Sequence, residues 1–193
     1  YKLQRQMRLN KNIINAQFMT GEEVRGFLFS ILKDKSAEKI LRLMHETDIL
    51  EQILPEFGLA HCKVNHDFYH HYTADEHSLR VIRFLDELAI TGITNPTDLQ
   101  ALYQDFPRKG ILKLSALLQA LRTAPTDEPR EFLKSLIERL SLEDADVQVL
   151  LFLLAHPYTM IETALHQDIH QPAVIRKFAE TVANPERLKG LYL

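Results

Sequence analysis

The sequence predicts an all-α fold, a bundle of eight to eleven helices, on three observations. Apolar residues recur at three- and four-residue spacing along most of the chain, which is the helical period. No β-alternating run of useful length occurs. Glycine and proline are sparse, 6 and 8 in 193 residues, and fall mainly at breaks between the periodic stretches.

Taken in order, Val24, Phe27, Leu28, Ile31 and Leu32 form the first stripe. Thr20 precedes it with Glu23 three residues on, the pattern of a capping box. Ile40, Leu41, Leu43 and Met44 mark a second helix. Ile49–Leu54 makes a short third, stopped by Pro55 and Gly58. Residues 59–74 are polar and aromatic without a period and read as an ordered loop. A helix from Asp75 to about Ile90 follows, with Leu79, Val81, Ile82, Leu85 and Leu88 on its stripe. Leu99–Gln104 is short, and Ile111–Leu121 is apolar enough to be a central buried helix. After a turn at residues 124–129, Phe132–Leu140 is amphipathic. Ser141-Leu142-Glu143-Asp144 caps a helix that runs to Pro157. Its Leu150-Leu151-Phe152-Leu153-Leu154 stretch reads as core. Ala173–Val182 and Glu186–Leu193 end the sequence, each close behind a proline suited to a first turn.

Composition narrows the function classes. Hydrophobic residues make up 46% and charged residues 25%, which argues against intrinsic disorder. Lys+Arg 23 against Asp+Glu 26 leaves a net charge of −3, so no global basic field draws nucleic acid, and none is expected as a partner. The single cysteine, Cys62, forbids an intrachain disulfide and points to a reducing, cytoplasmic setting. The longest apolar run, Val147–Ala155, is far short of the ~20 residues a membrane span needs, so no membrane partner is expected. Residues 1–20, with scattered basic side chains, read as a linker or the tail of a preceding domain. Residues 21–193 read as the domain. The start carries neither an initiator Met nor an apolar leader, and the expectation is a piece of a longer chain, with adjacent domains as partners.

Nine histidines with no tryptophan is the unusual entry in the composition. Five of them, His61, His66, His70, His71 and His77, crowd into residues 61–77 with Asp67, Asp75 and Glu76. Imidazole and carboxylate together suit zinc, iron or manganese. The spacing matches no short metal signature such as H-E-x-x-H. The alternative is that these side chains hydrogen-bond an irregular loop while Phe68, Tyr69 and Tyr72 pack on helices, and it is the favoured one. Cys62, with no partner thiol, reads as packed rather than nucleophilic.

The stretch Asn65–Val81, with Thr73-Ala74-Asp75-Glu76-His77-Ser78-Leu79 at its heart, resembles a signature of the uridylyl-removing domain in bifunctional nitrogen-regulatory uridylyltransferases. Supporting segments agree in order: Ile53–Gly58, then Met160 with Thr163-Ala164, Asp168-Ile169 and Pro172–Ala179, then Arg187–Leu193. Together the similarity covers about residues 24–193. It implies an HD domain: a helical metal-dependent phosphohydrolase with one His, an adjacent His-Asp pair, further His residues and a late Asp around divalent metal. Such an ion acidifies a bound water and polarises the phosphoester.

Carried over residue by residue, the resemblance puts His77 at the first metal His. The His-Asp pair falls on Gln119-Ala120, and a later His falls on Pro157, with His156 one residue early. The region of a further His reads Thr126-Asp127-Glu128-Pro129. Alanine cannot ligate, and a glutamine amide is a poor substitute for imidazole. The expectation is a degenerate, catalytically inactive HD-like module with no cofactor, serving a structural, ligand-sensing or regulatory role. A regulatory protein or a nucleotide is the further partner considered. Two alternatives stay open. One is a phosphohydrolase using Mn, Fe, Zn or Mg at a relocated site drawn from His66, His70, His71, Asp75, His77 and His156. The other is a nucleotide or anion site using Arg80, Arg83 and Arg122, against the plainer view that these arginines face solvent.

Overall fold

A computed structural model of the chain describes residues 5–6, 20–58, 72–90, 98–119 and 129–193, with the side chains of 129–131 outside that description. Twelve helices are found among the described residues, and no strand. They are α1 (Gly21–Leu32), α2 (Ala37–Glu46), α3 (Leu50–Ile53), α4 (Pro55–Gly58), α5 (Ala74–Leu88), α6 (Asp98–Asp105), α7 (Lys109–Gln119), α8 (Pro129–Arg139), α9 (Asp144–Ala155), α10 (Thr159–His166), α11 (Pro172–Val182) and α12 (Pro185–Tyr192).

The all-α expectation holds, and the count exceeds eight to eleven for two identifiable reasons. Pro55, expected to stop a helix, instead opens the single turn α4, since proline suits a first turn. Pro157 ends α9, but the chain turns and resumes as α10 within three residues. The Thr20 capping box forms as expected: Thr20 Oγ1 accepts the Glu23 N–H at 3.3 Å, and the Glu23 carboxylate accepts the Thr20 N–H at 2.8 Å. The Ser141–Asp144 cap does not. Glu143 is the N-cap and makes no side-chain cap bond, while Ser141 takes a positive φ of 46°.

Helix α7 is the axle. Every residue from Gly110 to Leu118 is buried, including Lys113 and Ser115. α5 and α9 pack along it, α2 lies on α5, and α1 also reaches α7. The buried cation is neutralised where three segments meet. Lys113 Nζ donates to the Asp86 carboxylate of α5, and to the Asp34 carbonyl between α1 and α2 at 2.8 Å. Asp86 also accepts the Glu38 N–H of α2 at 2.8 Å. Gly21 allows a close approach between α1 and α8: a β-carbon there would run into the Arg139 carbonyl oxygen. Arg139 in turn binds Glu56 and the Ile53 carbonyl, tying α8 to α3 and α4.

The last helices are more thinly anchored. No residue of α10 is buried, and α11 buries Val182 alone. α12 rests on Gly190, where a β-carbon would come within 2.9 Å of Leu153. Ion pairs help hold it: Arg108 bridges Asp146 at 2.8 Å and Glu186 at 2.5 Å, and Lys189 meets Asp105. Asp144–His166 is, by length and composition, apolar enough to cross a membrane, with a mean hydropathy of 1.2. In the fold the stretch is two helices, and Val149, Leu150, Phe152 and Leu153 of the first are buried in the bundle. Leu154 is half-buried and Leu151 exposed, so the leucine stretch is core on one side only.

Candidate functional site

Helical spacing brings two of the candidate positions, Gln119 and Pro157, to one cavity. On α5, Val81 and Leu85 are one turn apart and form one wall. On α7, Leu112, Ser115, Ala116 and Gln119 recur at three- and four-residue intervals and form the facing wall. Leu153 of α9 and Pro157 just after it close a third side, and Leu191 and Leu193 line the fourth. The cavity opens to solvent and has a volume of about 170 Å³. Thus Gln119 and Pro157, 38 positions apart in sequence, share one site. His77 sits on the same face of α5, one turn before Val81, half-buried, with its N–H bonded to the Thr73 carbonyl at 2.9 Å.

Among the described residues, the side chains of this cavity do not suit a divalent metal: they are aliphatic apart from the Ser115 hydroxyl and the Gln119 amide. Among the described residues no group of three or more His, Cys, Asp or Glu is arranged to hold an ion. His156 is half-buried but points elsewhere: its Nδ1 lies 3.2 Å from Thr159 Oγ1 and its ring 4.8 Å from that of Phe152. His66, His70, His71, Ala120, Arg122, Cys62 and residues 126–128 lie outside the described residues.

The arginines named for an anion site are engaged on the outer surface. Arg80 Nε donates to Glu76 at 2.8 Å and its guanidinium lies 3.9 Å from the Tyr72 ring centre. Arg83 Nε donates to Glu87 at 3.1 Å. Both are i,i+4 pairs on α5, as ordinary solvent-facing helix residues form, and neither lines the cavity.

A second polar cluster was not read from the sequence. Asp75, buried at the start of α5, accepts from His45 Nε2 at 3.2 Å, and His45 Nδ1 meets Glu51. The hydrogen bond to Glu51 is the largest influence and raises the His45 pKa above its usual 6.5; burial opposes it and Asp75 adds to it. The second oxygen of Glu51 is buried with no hydrogen-bond partner among the described residues. Alongside, Arg42 binds Glu38 at 2.5 Å and Glu76 at 2.7 Å, and the Arg42 bond holds the Glu76 carboxyl below its ordinary value. So Asp75 and Glu76, which directly precede His77, serve as the α2–α5 clasp. The missing signal is long-range: His45 and Asp75 are 30 positions apart, and no local pattern pairs them.

Comparison with known proteins agrees with this geometry at the level of the family. No protein-family model matches the chain. The bifunctional uridylyltransferase/uridylyl-removing enzyme of Chromobacterium violaceum is 32% identical over 186 residues, covering 93% of this chain. The chain belongs to this enzyme family, as one region of it. The corresponding enzyme of Aromatoleum aromaticum is 32% identical over 96% of the chain, and that of a Bradyrhizobium species 31% over 93%. The chain spans about a fifth of the length of these relatives, between 20% and 22%.

Proposed function

We propose that residues 21–193 form a degenerate HD-like domain of a uridylyltransferase-like protein. The domain carries no phosphohydrolase chemistry of its own and acts as a structural, ligand-sensing or regulatory module beside other domains of a larger cytoplasmic chain. The observation that supports this reading is the cavity itself. Gln119 and Pro157 occupy the positions the family resemblance gives to metal ligands, and they face aliphatic walls rather than imidazoles and carboxylates. A hydrolytic metal needs several nitrogen or oxygen ligands and an acidified water, and an amide with a hydroxyl does not supply them.

The test is elemental analysis of the purified chain, joined to hydrolysis of bis(p-nitrophenyl) phosphate with added Mn²⁺, Fe²⁺, Zn²⁺ or Mg²⁺. The expected outcome is less than stoichiometric metal and no turnover above buffer. Tightly bound stoichiometric metal, or turnover abolished by His77→Ala, would overturn the proposal and restore the relocated-site alternative.

A further inference from the structure

We infer that the outer face of α10, carrying Tyr158, Ile161 and Leu165, is the surface on which a flanking part of a longer chain docks. The way the helix is turned points there. A helix on a folded domain sets its apolar stripe toward the core and its polar residues toward water. α10 does the reverse. Thr159, Glu162 and Thr163 line the groove it shares with Lys177 and Phe178 of α11. Ile161 and Leu165, one turn apart, are 54% and 70% exposed, and Tyr158 just before them is 47% exposed.

The exposure is concentrated. Thirteen large apolar side chains are exposed among the described residues, and five of them, Leu151, Tyr158, Ile161, Leu165 and Ile169, fall between positions 151 and 169. Only 22% of the apolar stretch within Asp144–His166 is buried. Single exposed apolar residues need no explanation, but a cluster marks a contact surface.

Size selects the occupant. A stable pair of free proteins meets through about 20–30 residues a side, and this patch offers five apolar side chains. A neighbour joined through the backbone meets it at an effective concentration of about a millimolar, and a small patch then suffices. The family supplies such a neighbour: the chain spans 20–22% of the length of its relatives, which leaves about four-fifths of each outside the match. A lipid surface fits less well. Helices that lie in a membrane interface carry Lys and Arg on their polar face, whereas Thr159–His166 has neither and carries Glu162. The docking face rests on the reading of this region as a module beside other domains, but not on its loss of metal. Bound metal or turnover in the assay above would overturn the inactive domain and leave the labelling below unaffected.

The test places a reporter thiol, Ile161→Cys in a Cys62→Ser background, in the longer chain and in residues 1–193 alone, and compares rates of maleimide labelling. Lys134→Cys, exposed on α8, is the control. The expected result is labelling of Ile161→Cys at least tenfold slower in the longer chain, with equal rates at Lys134→Cys. Adding Leu165→Glu is expected to restore fast labelling there, while the melting midpoint of residues 1–193 stays unchanged because Leu165 is largely exposed. Equal rates at Ile161→Cys in the two chains would overturn the inference, as would the same slowing at Lys134→Cys. Slow labelling of residues 1–193 alone that depends on protein concentration, or on added anionic vesicles, would assign the face to a second copy or to a membrane and overturn it as well. Hydrogen exchange of the unmutated chains makes the same comparison at the amides of α10 even if Cys62→Ser fails to fold, and equal protection there would overturn it too.

Discussion

Replacing Lys113 by methionine keeps most of the side-chain volume and removes the charge at the centre of α7. The ammonium is 1% exposed and has two recipients, the Asp86 carboxylate and the Asp34 carbonyl. Without it, Asp86, 7% exposed, keeps the Glu38 N–H as its remaining named donor. Breaking a buried ion pair from one side costs about 3–5 kcal/mol, because the surviving charge stays buried and uncompensated. The orphaned Asp34 carbonyl adds about 1 kcal/mol. Against a total stability of about 5–15 kcal/mol for an ordinary domain, that is a large fraction. Urea denaturation of wild type and Lys113→Met at pH 7, followed by circular dichroism, measures it as a fall in midpoint at unchanged slope. The double variant Lys113→Met/Asp86→Asn removes both charges and leaves an acceptor for Glu38, and should recover at least half the loss. A single-variant cost under about 1 kcal/mol, the value of a solvent-exposed pair, would refute the buried-hub argument. So would a double variant no more stable than the single.

The His45 clasp predicts a pH dependence. Its folded pKa is raised, so its contribution is complete below the unfolded value of 6.5 and is lost as pH rises through the folded value. The stability gap between wild type and His45→Gln should therefore narrow from pH 6 to pH 9 in denaturation series, and Glu51→Gln should flatten that trend. Gly21→Ala drives a methyl against the Arg139 carbonyl and should cost about 1–3 kcal/mol. Gly26→Ala, in the same helix with open space around it, should instead gain about 0.5–1 kcal/mol by thermal unfolding. Ala183 ends α11 at φ 66°, ψ −31°, in a tight turn where the Asn184 N–H bonds the Val182 carbonyl at 2.8 Å. Ala183→Gly relieves that conformation and should raise stability by about 0.5–1 kcal/mol.

What was legible in the sequence is what local physics encodes. The Thr20–Glu23 box, the stripes of α1 (except Phe27, which is exposed), α5 and α7, and the prolines opening α11 and α12 all depend on residues within a turn or two of each other. Helix α10 was missed because Pro157 was read as a terminus, whereas two turn residues suffice to restart the chain at Thr159. The convergence of Gln119 and Pro157 on one cavity could be anticipated only through the family resemblance, since nothing local joins α7 to the end of α9. Lys113 gave no warning at all. A lysine inside a leucine-rich helix looks like a solvent-facing residue until Asp86 and Asp34 arrive from 27 and 79 positions away.

The way α12 is fastened bears on how anything reaches the cavity it helps line. Leu191 and Leu193 cover one side, yet the helix buries little and leans on Arg108–Glu186 and Lys189–Asp105. Partly exposed pairs of this kind contribute about 0–1 kcal/mol each and weaken as ions accumulate. The seating of α12 over this groove is thereby tied to ionic strength rather than to the breathing of the core. Added salt should speed amide hydrogen exchange along α12 while the amides of α7 keep their protection.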